Sequence, residues 1–435
     1  MKFYSTNNKN HKVSLKQAIF QSLPEDKGLY MPEFIPTCDG AFIGSLADLS
    51  FQEIAYEISR QLLQGEIEDV ALKNMVDEAV NFPAPVVTLD KNAYVLELFH
   101  GPSMAFKDFG ARFMSRIMAH FLQRGKKRLN ILVATSGDTG GAVAMGFYDV
   151  PDIRVIILYP SGKVSPVQEQ QLTTLGKNIT ALEVNGTFDD CQRLVKQAFL
   201  DEELNERLNL SSANSINIAR LIPQTFYYFN AVAQIRSKGD KRPVVFSVPS
   251  GNFGNLTAGL ISQRMGLPVH HFVAATNMND EVPQYLQSGK FIPYPSRQTL
   301  SNAMDVGNPS NFSRMLDLFD KDADKMAAAI SGYSFDDEET LSGIRHVFHQ
   351  DKYVMCPHTS VAYLGLKEYL KEYPDMDLAG VFLSTAHPCK FPDVFDEEIK
   401  KQMAYPSQME ELKNKKKNAF LMNNDFEELK SFLLK

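Results

Sequence analysis

Residues 128–160 read RLNILVATSGDTGGAVAMGFYDVPDIRVIILYP. An apolar β-like run, a tight polar turn rich in glycine, an Ala/Gly-rich helical stretch and a second apolar run follow in that order, which predicts a strand–helix–strand unit with parallel strands. The pattern continues outward. Downstream stand a helix at about 165–175, the strand ITALEV and the helix DDCQRLVKQAF; upstream a helix is expected at about 105–124. A second set follows, with helix ARLIPQTFYYFNAVAQI, strand PVVFSVP, turn SGNFGN at 250–255, helix NLTAGLISQRM, strand VHHFVAA and, much later, strand AGVFLST. This alternation predicts an α/β fold with two parallel-sheet α/β domains and a cleft where the strand-end turns converge. Residues 1 to about 80 carry helical periodicity instead, as in LADLSFQEIAYEISRQLL, so a separate, mostly helical N-terminal unit is expected there.

The chain has 435 residues, enough for two or three domains with ample core. Lys plus Arg number 45 against 52 Asp plus Glu, a formal charge of -7 that argues against a nucleic-acid partner. The same charge repels small anions, so a phosphorylated ligand would need local donors. Cys38, Cys191, Cys356 and Cys389 are scattered without CxxC spacing, which predicts reduced thiols and no metal site. The first residues lack the apolar run of a signal peptide and no stretch approaches the roughly 20 apolar residues of a membrane span, so no membrane partner is expected and a cytoplasmic location is. The run KNKKK at 413–417 reads as a solvated helix face.

Chemistry concentrates in three places. In LELFHGPSMAFKDFGARFM, Lys107 stands between Phe106 and Phe109 at what reads as the first turn of a helix. A free lysine amine has a pKa of about 10.4, and covalent use of one requires removing its solvent or binding it as an imine; the two phenylalanines are candidates for an apolar wall. An isolated lysine is more often solvated and unreactive. The turns TSGDTGG (135–141) and SGNFGN (250–255) alter that balance, because strand, tight turn and helix together present backbone N–H groups to an anion. Alone, SGNFGN is more often a ligand-free strand-to-helix turn.

In this order the three motifs resemble those of the fold-type II (tryptophan synthase β-like) pyridoxal-phosphate enzymes. The match narrows to the threonine synthase family through MKFYSTNN at the start, KGLYMPE (27–33), SANSINIARLIPQ (212–224), AMDVGNPSNFSR (303–314), CPHTSVAYL (356–364) and STAHPCKFP (384–392). The resemblance covers nearly the whole chain. It implies an N-terminal unit at 1–90, a large cofactor-binding domain at 91–125 and 211–400, a small mobile domain at 126–210 and a C-terminal helical segment at 401–435.

It also implies pyridoxal 5'-phosphate bound as an imine on Lys107, with its phosphate on the turn Ser250, Gly251, Asn252, Phe253, Gly254 and Asn255. Thr385, at the end of VFLST, matches the hydroxyl that meets the ring nitrogen; Ser384 would point to the other face. Asp138 falls near O3′, where many relatives carry Asn, so it either contacts O3′ or organises the turn. Ser136 and Thr139 suit a substrate carboxylate or phosphate, Asn214, Ser215 and Arg220 form the stronger phosphate cup, and Lys163 in PSGKVSP is a further phosphate contact. Lys163 does not belong to a nucleotide-binding loop, because position 157 is Ile where that motif needs glycine. His358 and His387 lie in family-matching loops with roles open between structure and chemistry, and Cys356 stands where an acidic residue is expected before PHT.

The implied activity is conversion of O-phospho-L-homoserine and water to L-threonine and phosphate, with Lys107 as acid and base, by a monomer or homodimer. Two alternatives stay open: a related phospho-lyase that releases a 2-oxo acid, and a catalytically silent relative.

Overall fold

The computed structural model describes residues 1–122 and 128–435. Its strands form three sheets. β1 (Lys2–Ser5), β2 (Asn8–Ser14) and β3 (Tyr30–Pro32) make a small antiparallel sheet in the order β2-β1-β3. β4 (Val86–Thr88) and β5 (Ala93–Glu97) belong to a six-stranded sheet. β6 (Leu129–Ala134), β7 (Ile153–Pro160), β8 (Ile179–Asn185) and β9 (Asn209–Ser212) belong to a five-stranded one. β10 (Val244–Pro249), β11 (Val269–Thr276), β12 (Ile330–Ser334) and β13 (Ala379–Ser384) return to the large sheet, and β14 (Phe420–Asn423) closes the small one. β6, β10 and β13 are buried along their whole length, which is why they read as continuous apolar runs rather than alternating ones.

The large sheet runs β12-β11-β10-β13-β5-β4, parallel except for the β4–β5 pair. The chain leaves β10 toward β11 on one side, while β13 and β5 lie on the other. The carboxyl ends of β10 and β13 therefore flank a topological switch point, where open α/β sheets hold ligands. Ser250–Asn255 and Thr385 both sit there. The segment between β5 and the helix Lys107–Phe121 is tied across the same edge by Leu98 N–H to Ser384 O (2.9 Å), Phe106 N–H to Thr385 O (2.9 Å) and His387 N–H to Met104 O (3.0 Å). Met104 turns this corner at φ 56°. Lys107 is thus delivered to the end of β13 by backbone bonds.

The small sheet is all parallel, in the order β14-β8-β7-β6-β9. The crossover helices Asp138–Phe147, Pro166–Thr173 and Phe188–Leu200 fall where the sequence places them; the last starts on a reciprocal cap between Thr187 and Asp190. The helix expected at about 105–124 spans Lys107–Phe121, and its last expected residues, with the domain boundary at 125/126, lie outside the described residues.

The N-terminal unit is mostly helical as expected and also carries the sheet β1 to β3; β2, NKNHKVS, buries only Val13 and so shows no apolar alternation. Two expectations change. Residues 86–88 pair with β5, so the large sheet begins before residue 91. The C-terminal segment supplies β14, paired in parallel with β8 from Phe420↔Leu182 to Asn423↔Asn185, before the helix Phe426–Leu433. Met422, Leu429 and Leu433 enter the core shared by β6 to β8 and the helix Phe188–Leu200. A strand of four residues at a sheet edge, with one side chain buried, carries too little pattern to be read.

Leu429→Ala should therefore lower the stability of the small sheet by about 2–5 kcal/mol. Leu421→Ala, at a side chain 69% exposed, should change little. Urea unfolding followed by far-UV circular dichroism compares them; equal midpoints would mean that the segment is not docked.

Candidate active site

Lys107 begins its helix, half-buried at the edge of the cleft, with Nζ 5.7 Å from the centre of the Phe106 ring. Phe109 does not share this wall. It is fully buried one turn on, packed at 4.6 Å on Phe82 and 5.5 Å on Tyr227, and anchors the helix in the core. Loss of water around the amine, reinforced by the cations of Lys390 and Arg220 and opposed by the carboxylate of Asp138, brings Lys107 down to about 8. An amine at that value is about one-tenth unprotonated at pH 7, some hundreds of times more than an ordinary lysine.

Asp138 occupies the first position of the helix Asp138–Phe147, after Gly137 at φ 136°. Its Oδ1 accepts from Gln168 Nε2 at 2.9 Å and from Lys390 Nζ at 2.6 Å. Burial alone would push this carboxyl up, but Lys390 and Lys107 hold it well below the usual carboxylate range. Lys390 is fully buried and also donates to Ser103 O at 2.9 Å, a carbonyl shared with Gln171 Nε2. Asp138 thus meets a second site lysine that sequence reasoning did not single out. The available signal was a charged residue inside HPCKFP with apolar neighbours on both sides. Next to Lys107, Asp108 is fully buried and accepts from Ser103 N–H at 2.9 Å; burial pushes it up to about 6.

The anion side is built from three loops. In the turn after β10, Phe253 is left-handed at φ 57°, and a Cβ on Gly251 would come within 2.6 Å of Met304 Cα, so that position requires glycine. Ser250 is buried with its hydroxyl on Val248 O at 2.9 Å. Asn252 Nδ2 donates to Ser215 Oγ at 2.5 Å and Asn214 Nδ2 to Ala134 O at 3.1 Å, which joins the 250–255 turn, the 214–215 loop and the end of β6. Asn255 accepts the hydroxyls of Tyr227 and Tyr228 at 2.6 and 2.8 Å.

Arg220 is buried against the first turn of the lysine helix, where a Cβ on Gly110 would stand 2.8 Å from its Nε. Its Nη1 donates to Ala213 O at 2.6 Å, and burial lowers it to about 10 despite Asp108. Ser136 and Thr139 are half-buried beside Asp138. Lys163 is different. It is exposed in the turn after β7, where its charge acts on Cys191, and no described contact ties it to Lys107, Asp138 or Arg220.

The residues present fit a pyridoxal phosphate. Among the described residues, Arg220 Nε, Asn255 Nδ2 and Asn311 Nδ2 are buried donors with no protein partner, an arrangement suited to an anion with several acceptor oxygens. The lysine stands beside Thr385 through the Phe106–Thr385 backbone bond, and Ser384 directs its hydroxyl to Thr359 Oγ1 at 2.9 Å, leaving Thr385 as the neighbour on the other face.

Two histidines have structural partners. His358 Nε2 accepts from Ala303 N–H at 3.2 Å and His387 Nδ1 from Cys389 N–H at 3.1 Å; burial lowers each to about 4, so both rings are neutral. Cys356 contacts Thr359 Oγ1 at 3.2 Å, and burial raises its thiol, which leaves it neutral where an acid was expected.

Comparison with known proteins agrees with this geometry. The profile of a family described as pyridoxal-phosphate dependent enzymes matches residues 80–384, and those of the threonine synthase N terminus and C-terminal part match 2–80 and 359–433. The chain is 45% identical to the threonine synthase of Haemophilus influenzae over 100% of both chains. It superposes on the crystal structure of Escherichia coli threonine synthase with a TM-score of 0.90 at 42% identity, covering 100% of this chain and 99% of that one. The pyridoxal-phosphate-bound threonine synthase of Brucella melitensis gives a TM-score of 0.90 at 34% identity, over 100% and 99%. A chain matched from end to end at this identity belongs to the threonine synthase family of pyridoxal-phosphate-dependent enzymes.

Proposed function

We propose that this protein is a threonine synthase that converts O-phospho-L-homoserine and water to L-threonine and phosphate. The observation that carries the reading is the juxtaposition of a desolvated lysine with a buried guanidinium that has one donor to spare. Pyridoxal phosphate bound at Lys107 supplies an electron sink for the charge that develops on the substrate carbons.

The chain's own groups do the rest. Lys107 Nζ, once free, removes the proton from Cα, passes it to an exchangeable acceptor such as the substrate phosphate, and as a neutral amine again removes one from Cβ; tethered within reach of both, it is the main base. Arg220, with Asn214 and Ser215, holds the substrate phosphate as it leaves from Cγ, because a planar fork of donors matches phosphate oxygens. Lys107 then returns a proton to Cγ and, after water adds at Cβ, to Cα. Asp138, kept ionised by Lys390, would meet O3′ as an acceptor only. Thr385 would offer the ring nitrogen a neutral hydroxyl, which favours elimination and replacement over transamination. The backbone N–H groups of Ser250–Asn255 would hold the cofactor phosphate, and Ser136 and Thr139 would meet the amino-acid carboxylate. The net charge and reduced cysteines support a cytoplasmic enzyme of small molecules, monomer or homodimer, and no described helix is long and apolar enough to cross a membrane.

The amine value is testable. In protein stripped of cofactor, trace acetylation of Lys107 across pH should show a midpoint near 8 rather than 10.5. Lys390→Met should move it upward, because Asp138 then faces Lys107 without its other partner and stabilises the ammonium. An unchanged midpoint in Lys390→Met would remove Lys390 from this role.

Arg220→Ala should lower kcat/KM for phosphohomoserine by about 10²-fold or more while leaving cofactor binding intact, and Arg220→Lys should recover only part. Kinetics like wild type in Arg220→Ala would make the residue structural.

The reaction itself is checked with isotopes. In oxygen-18 water the threonine hydroxyl should gain the label and newly released phosphate should not, because the Cγ–O bond breaks. In deuterated water both Cα and Cγ should carry deuterium. Labelled phosphate and homoserine as product would identify simple ester hydrolysis instead.

A further inference from the structure

The segment DVGNPSNFSR holds two fully buried polar side chains, Asn311, whose free donor was noted above without a ligand of its own, and Arg314. Arg314 is saturated. Nε donates to Tyr30 O at 3.1 Å, Nη1 to Ser215 O at 3.3 Å and Asn311 Oδ1 at 2.6 Å, and Nη2 to Tyr30 O at 3.0 Å and Ile216 O at 2.7 Å. Every acceptor is neutral, and no carboxylate pairs with it among the described residues. Burial lowers Arg314 to about 9, the direction expected for a cation removed from water without a counter-ion.

This guanidinium fixes the Asn311 amide. Because arginine only donates, the atom facing it must be Oδ1, so Nδ2 points away. It points to the 250–255 turn: a Cβ on Gly254 would lie 3.4 Å from Asn311 Nδ2 and 3.9 Å from Ser215 Cβ. Asn311 Nδ2 is buried and has no partner. Gly254 opens the helix Gly254–Arg264, whose first N–H groups face the same place. Neighbouring Ser310 N–H donates to Asn252 Oδ1 at 2.6 Å, so the Asn311 segment is bonded to that turn directly.

We infer that Asn311 Nδ2 is a ligand of a phosphate monoester seated between the 250–255 turn and the Ser215 loop, with Arg314 the positioning residue that aims it and supplies buried positive charge behind it. The inference rests on the cofactor reading above. Two phosphates have this chemistry there, that of pyridoxal phosphate and that of the substrate. The amide adds a donor that the glycine turn and the Arg220 cup do not contain.

Asn311→Asp separates ligand binding from structure. The new carboxylate keeps an acceptor for Arg314 and gives it a counter-ion, so the melting temperature of the cofactor-free full-length protein should hold or rise. It loses the donor and repels phosphate. Affinity for pyridoxal phosphate, followed by the absorbance of the lysine-bound form, should fall about tenfold or more if the amide serves the cofactor, whereas affinity for pyridoxal, which lacks the phosphate, should not. If it serves the substrate, cofactor affinity stays and both the KM for phosphohomoserine and the inhibition constant of inorganic phosphate rise by a similar factor. Asn311→Ser, which shortens the side chain without adding charge, should give the same pattern more weakly and replaces Asn311→Asp should that variant not fold. Unchanged binding of cofactor, substrate and inorganic phosphate in the folded variant overturns the inference while leaving the cofactor reading standing. Borohydride reduction of wild type that labels a lysine other than Lys107 overturns both.

Discussion

A carboxylate and an ammonium stand 2.6 Å apart, the first 4% exposed and the second fully buried, and the rest of the site is arranged around them. Asp138 comes from the turn after β6 and Lys390 from the loop after β13, so the pair joins the ends of two different sheets. Ser103 O, bound by Lys390 and by Gln171, brings in the segment that leads to Lys107. Removing two charges from water costs several kcal/mol each, and their attraction roughly offsets this, so such a pair is weak evidence for stability. Its consequence here is electrostatic. Asp138 is the carboxylate whose charge opposes the loss of water at Lys107, and it is already engaged by Lys390. Burial therefore dominates at Lys107 and the amine falls to about 8.

The strand–turn–helix units could be read because parallel strands covered on both faces have a continuous apolar signature and their turns need glycine. The 135–141 and 250–255 turns could be located for the same reason, since each follows such a strand, whereas the roles of Thr385 and Arg220 were legible only through the family resemblance. Other elements lacked that signature. β2 is almost wholly exposed, and β14 is a four-residue edge strand far along the chain from its partner β8. Lys390 was hidden because its one local signal, apolar neighbours on both sides, is weak, and its partner lies 252 positions away in the turn after β6. Phe109 shows the converse. Two phenylalanines flanking a lysine look equivalent along the chain, but Phe106 stands just before the helix beside Lys107, whereas Phe109 lies about 200° around it and packs on Phe82 and Tyr227, so only Phe106 reaches the amine.

The formal charge of -7 is a poor guide to this interior. Lys107, Lys390, Arg220 and Arg314 lie buried or half-buried around the cleft, against Asp108 and Asp138. Asp108 is itself pushed up to about 6, which weakens it as a counter-ion. A region built this way attracts dianions at short range although the whole molecule repels them, since buried charges are screened far less than surface ones.

The two buried guanidiniums show how such charge is divided between structure and ligand. Arg314 has its donors matched to carbonyls and an amide, and those carbonyls, Tyr30 O on one segment and Ser215 O and Ile216 O on another, join stretches far apart in sequence. Its geometry is complete without any ligand. Arg220 makes one described bond, to Ala213 O, and keeps Nε without a partner against the lysine helix. An unsatisfied buried donor costs about 1–3 kcal/mol, more when charged, and a fold tolerates that where an anion arrives to satisfy it. The saturated arginine therefore holds the walls of the cup in register, and the unsaturated one faces what enters it.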